Sequence, residues 1–558
     1  MLKVSVADFE TTTQADDCRV WAWGIVDIEK CRSGWNVEVG NSIDSFMDYV
    51  FRESQIINFH NLKFDGSFIL DWLFRSDYTF TEEERPRNGQ FSTVISSMNQ
   101  WYIITVRTHD GNQIEFRDSA KKLPMPVKRI ANAFKLFEKK GEIDYHAYRP
   151  PGHTITPEER SYIVNDVLIV AKALKLQIDQ GLTKLTVGAD ALAEYKALAG
   201  KAFDGMFPIL SDTLDGEIRD AYRGGFTHVA KRFRGKLLGK GKTFDVNSLY
   251  PSVMYNKLLP YGEPVFREGL PVATKLHPLF IVSVTFTATL KKNHVPCIQI
   301  KNSRFHNDVE YLEVIEEPVT LACTNVDLDL WMEHYDMAVL SFNGGWCFQG
   351  AYGVFNDYID KWSEIKATSE GGLRELAKLQ LNSLYGKFAT NPDITPNVPR
   401  MEDNIVKFSL GKEKKKNPVY TAMGVFITAY ARDITIRAAQ QHYDVFAYAD
   451  TDSLHLLTEE TPTALDIHPN RLGAWKHEYD FEAAFFARSK AYTELKTGWK
   501  GTPWALPYET HISGMPTEKS KYVTFDDYVS GKEFDGNLKQ RRVPGGVVLV
   551  DSGFTLKF

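Results

Sequence analysis

No run of about 18 or more apolar residues occurs in the chain, which excludes an ordinary membrane-spanning helix. The start, MLKVSVADFETTT, lacks the apolar core of an export signal: one lysine leads straight into strand-like alternation, so a soluble chain that is not exported is expected. Cysteine is scarce, five in 558 residues. Cys18, Cys31, Cys297, Cys323 and Cys347 are scattered without a CxxC pair, which argues against both a disulfide framework and a zinc site and leads one to expect a reducing, cytosol-like compartment. Excess positive charge is missing too: 66 Lys and Arg stand against 72 Asp and Glu, a net charge of −6, the wrong sign for a uniformly basic nucleic-acid binder. Internal repeats and low-complexity tracts are absent. What the chain has is length and 43% hydrophobic residues, enough for roughly three or four cores of ordinary domain size.

The charge is unevenly distributed. Basic residues gather at Lys121, Lys122, Lys128 and Arg129, from Lys231 through Lys242, at Lys412 to Lys416, and at Lys539, Arg541 and Arg542. Taken singly, each cluster reads as a solvated face before it reads as a track for phosphates. Residues 1 to about 185 alternate short apolar strands (VSVADFE, VWAWGIVDI, IINFH) with a long amphipathic helix, SYIVNDVLIVAKALKLQI, the pattern of an α/β domain. A Gly-rich AYRGGF and a strand, TFDVNSLYPSVMY, open a new unit near 212 to 260. Strand-like runs follow to about 353, then two helices, VFNDYIDKWSEIKATSEG and GLRELAKLQLNSLYGKF, whose Ser-Glu-Gly-Gly break predicts an antiparallel helical hairpin. A lysine-bearing polar segment, the helix GVFITAYARDITIRAAQQH, the hairpin VFAYADTDSLHLL and a β-rich terminus complete the chain.

Two sets of carboxylates stand out. Asp8 and Glu10 point to the same side of a strand end, a pair of hard oxygen donors suited to Mg²⁺ or Mn²⁺. Alone, a DxE reads more readily as exposed strand-end acids. HNLKFDGSF adds Asp65 after His60, Asn61, Phe64 and before Phe68, and YIVND places Tyr162 and Asp166 on one helical face. Together these residues could hold two metals and orient an attacking water.

The second set begins with Asp245 at a strand end, followed by a turn whose amides and Ser248 could meet a triphosphate, with Tyr250 positioned to pack under a sugar and exclude a 2′-hydroxyl. As plain structure this is equally a strand, a turn and a helix. YADTDS displays Asp450 and Asp452 at a tight hairpin, where mutual repulsion asks for a cation. With Asp245 they form a carboxylate set for two-metal phosphoryl transfer. Lys378, Asn382 and Tyr385 share one helical face, and Lys366 on the preceding helix could join Lys378 in neutralising triphosphate charge. Lys490 and Tyr492 form a KxY suited to a primer backbone.

In this order the blocks DxxSLYP, KxxxNSxYG, YxDTDS and KxY resemble motifs A, B, C and KxY of family B DNA polymerases, and the N-terminal set resembles their DEDDy exonuclease domain. The resemblance implies an α/β and α+β multidomain protein: an RNase H-like 3′→5′ exonuclease domain plus a right-hand polymerase of palm, fingers and thumb with two insertions. It implies two Mg²⁺ or Mn²⁺ ions per centre, held by Asp8, Glu10, Asp65 and Asp166 in one and by Asp245, Val246, Asp450 and Asp452 in the other. Tyr162 would orient water, Lys140 would neutralise the scissile phosphate, and Glu142 would lie where a further acid can approach the metals. Thr11, His60, Asn61, Phe64, Phe68 and Ser119 would touch a single-stranded 3′ end. Ser248, Leu249, Tyr250, Lys366, Lys378, Asn382 and Tyr385 would meet the nucleotide. Lys490, Tyr492 and the YRGGF block (Tyr222, Arg223, Gly224, Gly225, Phe226) would meet DNA.

The chain is short for that family. LLPYGEP, IQIKNSRF, TNVDLDLWMEHYD, IKATSEGG and VPGGVVLVDSGFTLKF look like the protein-primed DNA polymerases of small tailed bacteriophages, nearly end to end. Ala120 and Glu142 depart from that group's usual larger apolar residue and Asp. The expected division is 1–186 exonuclease, 187–256 first palm part, 257–353 first insertion, 354–389 fingers, 390–417 second insertion, 418–514 second palm part and 515–558 thumb. In that branch the first insertion cradles a terminal protein and the second closes a ring around DNA. The implied partners are template and primer DNA, dNTPs, a terminal protein and a phage single-stranded DNA-binding protein, met by a monomer in the bacterial cytoplasm. An enzyme extending ordinary primers, a nuclease with a dead polymerase half, a carbohydrate hydrolase with paired acids and a DNA-binding protein without chemistry are the competing readings.

Overall fold

The computed structural model describes residues 2–31, 34–300, 311–498 and 507–556. The KNSRF part of the first insertion, at 301–305, lies outside the described residues. Among the described residues no helix is long and apolar enough to cross a membrane.

The first sheet joins β1 (Lys3–Thr11), β2 (Val20–Asp27), β3 (Val37–Gly40), β4 (Gln55–Phe59), β5 (Thr79–Phe80), β6 (Gln90–Ile95), β7 (Trp101–Arg107) and β8 (Gln113–Asp118) in the order β3-β2-β1-β4-β8-β7-β6-β5. β4 runs parallel to both β1 and β8, and α1 (Ile43–Val50) and α2 (Leu62–Arg75) lie on the connections that parallel pairing requires. The period of two along β1 divides its side chains between two cores. Ala7 and Phe9 join Phe46, Phe59 and Phe116 on one face; Val6 meets Val167, Leu168 and Leu174 on the other. The latter three sit on α4 (Pro157–Asp179), which starts at a reciprocal cap between Thr156 and Glu159 with Pro157 in its first turn. α3 (Val127–Ala133) packs beside it.

The second large sheet carries the YADTDS hairpin. It contains β9 (Thr227–Val229) and β10 (Gly241–Val246), and α5 (Leu249–Asn256) follows directly. The chain then builds a separate four-stranded sheet from β11 (Leu259–Arg267), β12 (Leu279–Leu290), β13 (Val314–Thr324) and β14 (Tyr335–Ala351), with α6 (Asn325–His334) between the last two. The helical hairpin follows as α7 (Asn356–Thr368) and α8 (Gly371–Phe388), and the hairpin β15 (Asn397–Glu402) and β16 (Ile405–Leu410) comes after it. α9 (Thr421–Gln441) is buried almost all round, the mark of a core helix. Phe426, Ile427 and Ile436 there share a core with Phe244 and Leu454 of the second sheet. That sheet is completed by β17 (Phe446–Asp450), β18 (Ser453–Leu456), β19 (Trp475–Arg488), β20 (Ala491–Lys496) and β21 (Tyr508–Ile512), in the order β21-β20-β19-β10-β18-β17-β9; Leu237–Leu238 pairs with β19.

The last hairpin, β22 (Leu538–Val543) and β23 (Gly546–Asp551), folds back onto the N-terminal unit. Val543, Val547 and Val548 enter the same core as Phe59 and Phe68, and Val406 of β16 joins them. Arg542 stacks over Phe408 at 4.4 Å, and Phe408 meets Trp101 at 5.5 Å. Two segments remote in sequence, the hairpin after the fingers-like helices and the C-terminal hairpin, therefore close against the first domain and each other.

Candidate active sites

β1 brings Asp8 and Glu10 to one end of the first sheet, the first turn of α2 brings Asp65, and α4 brings Tyr162 and Asp166. Burial raises all four acids above their ordinary values, and the charge of neighbouring carboxylates adds to it at Asp8, Glu10 and Asp65, taking Asp8 to about 7; at Asp166 burial acts alone, opposed by Lys140. The Lys140 ammonium is bound to Asp166 Oδ2 and lies 2.9 Å from the Tyr162 hydroxyl, a fixed cation inside an acid cluster. Burial lowers the Lys140 pKa, but the charge of Asp166, the hydrogen bond to it and the charge of Asp8 together outweigh burial, and the net shift is upward. Asp118 accepts from the amides of Asn61, Leu62 and Ala120, so one buried carboxylate organises the left-handed Asn61 turn that starts α2 and aims Asp65.

The second cluster forms where β10 lies beside the β17–β18 hairpin. Asp245 pairs with Ser453, and the Val246 amide donates to the Asp452 carbonyl at 2.8 Å, which puts the two motif acids at one spot. Burial, then Asp452 and Glu478, pushes Asp245 up to about 7; Lys476 opposes the shift. Burial and the charge of Asp450 raise Asp452. Asp450 itself accepts from Thr227 Oγ1 at 2.9 Å and Tyr448 at 3.2 Å, with Lys490 4.0 Å away.

Around these acids the helical hairpin supplies cations. Lys366 donates to Ser248 Oγ at 3.1 Å, Arg374 donates to the Lys366 carbonyl at 2.5 Å, and Lys378 pairs with Glu375 at 2.6 Å. Burial lowers the Lys366 pKa, and Arg374, Lys378 and Lys476 lower it further. Tyr250 and Tyr385 stack with centroids 4.0 Å apart, and Asn382 is exposed on the same helix.

Comparison with known proteins follows the same lines. The sequence model for DNA polymerase type B, organellar and viral, matches residues 50–468. The chain is 46% identical over 574 residues to the DNA polymerase of Bacillus phage phi29, with 100% of this chain and 99% of that one covered. It is 31% identical over 581 residues to that of Streptococcus phage Cp-1, covering 99% and 98%. The structure of phi29 DNA polymerase with primer-template DNA and incoming nucleotide substrates matches with a TM-score of 0.94 at 45% identity over the whole of both chains, and its complex with single-stranded DNA at 0.93 and 44%. The chain belongs to the type B DNA polymerases of organelles and viruses. The expected fold class, an exonuclease-type α/β domain joined to a right-hand polymerase, is the fold that this polymerase has.

The structure places several of the expected site residues in packed surroundings. Phe68 is 1% exposed beneath the C-terminal hairpin, and its ring packs in the core with Phe59. Ser119 is fully buried, donating to the Phe59 carbonyl at 3.1 Å and lying 3.0 Å from His60, whose other ring nitrogen meets the Met125 carbonyl at 2.9 Å. Both brace the turn before α2. Glu142 is exposed and does not figure in the electrostatics of the four acids. Arg223 is buried, reaching the Ala322 carbonyl at 2.8 Å and stacking over Trp331; Phe226 is buried and packs on Tyr311. The Leu249 side chain is buried, which leaves its backbone alone for a nucleotide, and Val246 likewise has only its backbone to offer a metal. The Tyr492 ring is packed among Tyr448, His455 and Phe486 and braces the sheet. Thr11, Asn61 and Phe64 retain exposed surface beside the first cluster, as do Tyr222 and Gly224 beside the second.

Sequence reasoning passed over Asp118, Thr227, Arg374, Lys476 and Glu478. Arg374 was discoverable, standing one helical turn before Lys378. The other four depend on strand pairing between distant segments.

Polymerases of this family depend on divalent metal ions, and the two clusters fit such ions. Asp166 Oδ1 and Asp245 Oδ1 are buried without a hydrogen-bond partner among the described residues, a costly state that a cation relieves. Among the described residues no three acidic, histidine or cysteine side chains stand as a finished metal cage. In the first cluster an ammonium holds Asp166 instead.

Proposed function

We propose that this polymerase extends DNA by template-directed nucleotidyl transfer at Asp245 and Asp452 and removes mispaired 3′ ends at Asp8, Glu10, Asp65 and Asp166. The observation that carries the reading is the pair of separate acid clusters, on different sheets, each with a buried carboxylate oxygen left unpartnered. Two Mg²⁺ or Mn²⁺ ions per centre would, when bound, favour deprotonation of the attacking oxygen and stabilise the leaving one. Lys366, Arg374 and Lys378 neutralise the triphosphate, and the Ser248 turn offers it backbone amides. The Tyr250–Tyr385 stack floors the sugar and excludes a 2′-hydroxyl. Asp450 acts less as a partner of Asp245 than as an anchor for Thr227 and for the Lys490 that grips the primer. In the editing centre Tyr162 orients water and Lys140 neutralises the scissile phosphate, while the exposed rings and polar groups of Phe64, Asn61 and Thr11 hold an unpaired end without reading its sequence.

Strands start on a terminal protein, a reading supported by the likeness of the first insertion to protein-primed enzymes. The β15–β16 hairpin touching the C-terminal hairpin supports enclosure of DNA, hence processivity and strand displacement. The remaining expectations, a phage single-stranded DNA-binding protein as partner, a monomeric state and the cytoplasm of a bacterial host, belong to the same proposal.

The test compares Asp452→Ala and Asp8→Ala. The first abolishes nucleotide addition and leaves 3′→5′ degradation, and the second does the reverse; loss of both activities in either variant argues against two centres. Labelled dATP with Mg²⁺ and the phage's candidate terminal protein should give a protein-nucleotide adduct with wild type and none with Asp452→Ala. Wild-type extension of ordinary primers without any adduct overturns protein priming alone.

A further inference from the structure

Lys476 is not part of any block that the sequence singled out. Strand pairing makes it the cross-strand partner of Asp245 on β19, so the two side chains rise from the same face of the sheet, roughly 5 Å apart at their Cβ atoms. Its ammonium lies 2.7 Å from Glu478 Oε1, and its side chain is 42% exposed. Ser248 lies three residues beyond Asp245 and receives Lys366, so Lys476 and Lys366 flank one turn from two different domains. Lys476 acts electrostatically both on Asp245, which it favours in the ionised form, and on Lys366, which it repels. Four cations (Lys366, Arg374, Lys378 and Lys476) thus converge on one point. Glu375 and Glu478 hold two of them, while Lys366 rests on a hydroxyl and Arg374 on a carbonyl. Such a convergence is unfavourable until a polyanion fills it.

We propose that Lys476 is a further catalytic residue of the polymerase, whose ammonium contacts the terminal phosphates of the incoming nucleotide and of the departing pyrophosphate. This rests on the two-centre reading above. In the transfer the primer 3′ oxygen bonds to the α-phosphorus and loses its proton to solvent, while the bond from that phosphorus to the bridging oxygen breaks. The electron pair of that bond leaves with pyrophosphate. Lys476 stays protonated throughout and meets the charge that develops there, its hold on Glu478 replaced by the stronger charge of the phosphates.

The experiment measures dNTP KM, kcat, inhibition by added inorganic pyrophosphate and pyrophosphorolysis for Lys476→Met and Lys476→Arg. Exonuclease rate on single-stranded DNA serves as the control for folding. The inference expects Lys476→Met to raise the dNTP KM and weaken pyrophosphate inhibition by about tenfold or more, with Lys476→Arg recovering most of the loss and the exonuclease unchanged. Unchanged pyrophosphate inhibition overturns it. So does an effect that disappears in the Glu478→Gln background, because Lys476 then serves only to neutralise Glu478. If Asp452→Ala still polymerises, the two-centre reading itself has failed; if it does not, and Lys476→Met behaves as wild type, this inference alone has failed.

Discussion

Asp245 illustrates how a carboxylate buried beside other acids burdens the fold that carries it. Its pKa is raised to about 7 by burial and by Asp452 and Glu478, and an acid raised in the folded state binds its proton more tightly there than in the unfolded chain. Its favourable contribution is therefore complete below the ordinary carboxylate range near 4 and is lost as pH climbs through 7, a tenfold change in proton affinity being worth about 1.4 kcal/mol. Asp245→Asn should raise the unfolding temperature of the metal-free protein at pH 8 and leave it unchanged at pH 4. Added Mg²⁺ should stabilise wild type at pH 8 more than the variant. Differential scanning calorimetry across that range checks both, and an Asn variant no more stable than wild type at pH 8 would contradict the charge balance described. The acids themselves were legible in the sequence, since DxE, YxDTDS and an acid before SLYP survive as spacing. What spacing hides is burial: nothing local in the sequence says that the side chains of Phe68, Ser119, Arg223 and Phe226 will be turned inward by tertiary packing.

At the level of elements, the YRGGF segment and the acid-bearing hairpin act as one piece. Thr451 is a β-branched residue held at φ 63°, an unfavourable conformation that persists because its amide donates to the Phe226 carbonyl and its own carbonyl accepts from Thr435, both at 2.7 Å. Arg432 on α9 clamps the carbonyls of Arg223 and Gly224 and closes a buried ion pair with Asp327 of α6, at 2.7 Å. Gly225 leaves no room: a Cβ there would stand 2.6 Å from Thr451 Oγ1. Gly225→Ala should therefore shift the hairpin tip and depress kcat for nucleotide addition by at least tenfold while exonuclease activity on single-stranded DNA persists. Steady-state kinetics with both substrates decides, and an unaltered polymerisation rate would detach the segment from the centre. Helices α4, α7, α8 and α9 were readable from periodicity and caps, and β17–β18 from its turn. Strands β10 and β19 meet across more than two hundred residues, and no local signal announces that Lys476 will face Asp245.

Over the whole molecule, the order of the main helices and of the acid-bearing hairpin was visible in the sequence, but the way the chain closes on itself was not. The PGG segment reads only as part of a β-rich terminus; nothing in it says that it will turn a hairpin whose tip enters the N-terminal domain. There Gly545 donates to Asp71 at 3.2 Å, and Cys18 meets the Val547 carbonyl at 3.5 Å. Gly545 sits at φ 92°, and a Cβ there would fall 2.1 Å from the Cys18 carbonyl oxygen, a backbone atom that cannot rotate away. Alanine at 545 is thus opposed twice, by its dihedral angle and by the neighbouring chain. The hairpin tip should lift from the first domain, while the palm sheet and both acid clusters, built from other segments, stay intact. If the contact helps to enclose DNA, Gly545→Ala should retain single-nucleotide addition and exonuclease rates near wild type, yet make much shorter products per binding event when a competitor DNA traps released enzyme. Product lengths equal to wild type under the trap would mean that enclosure does not depend on this contact, and retention of the strand would have to come from the palm and the helical hairpin alone.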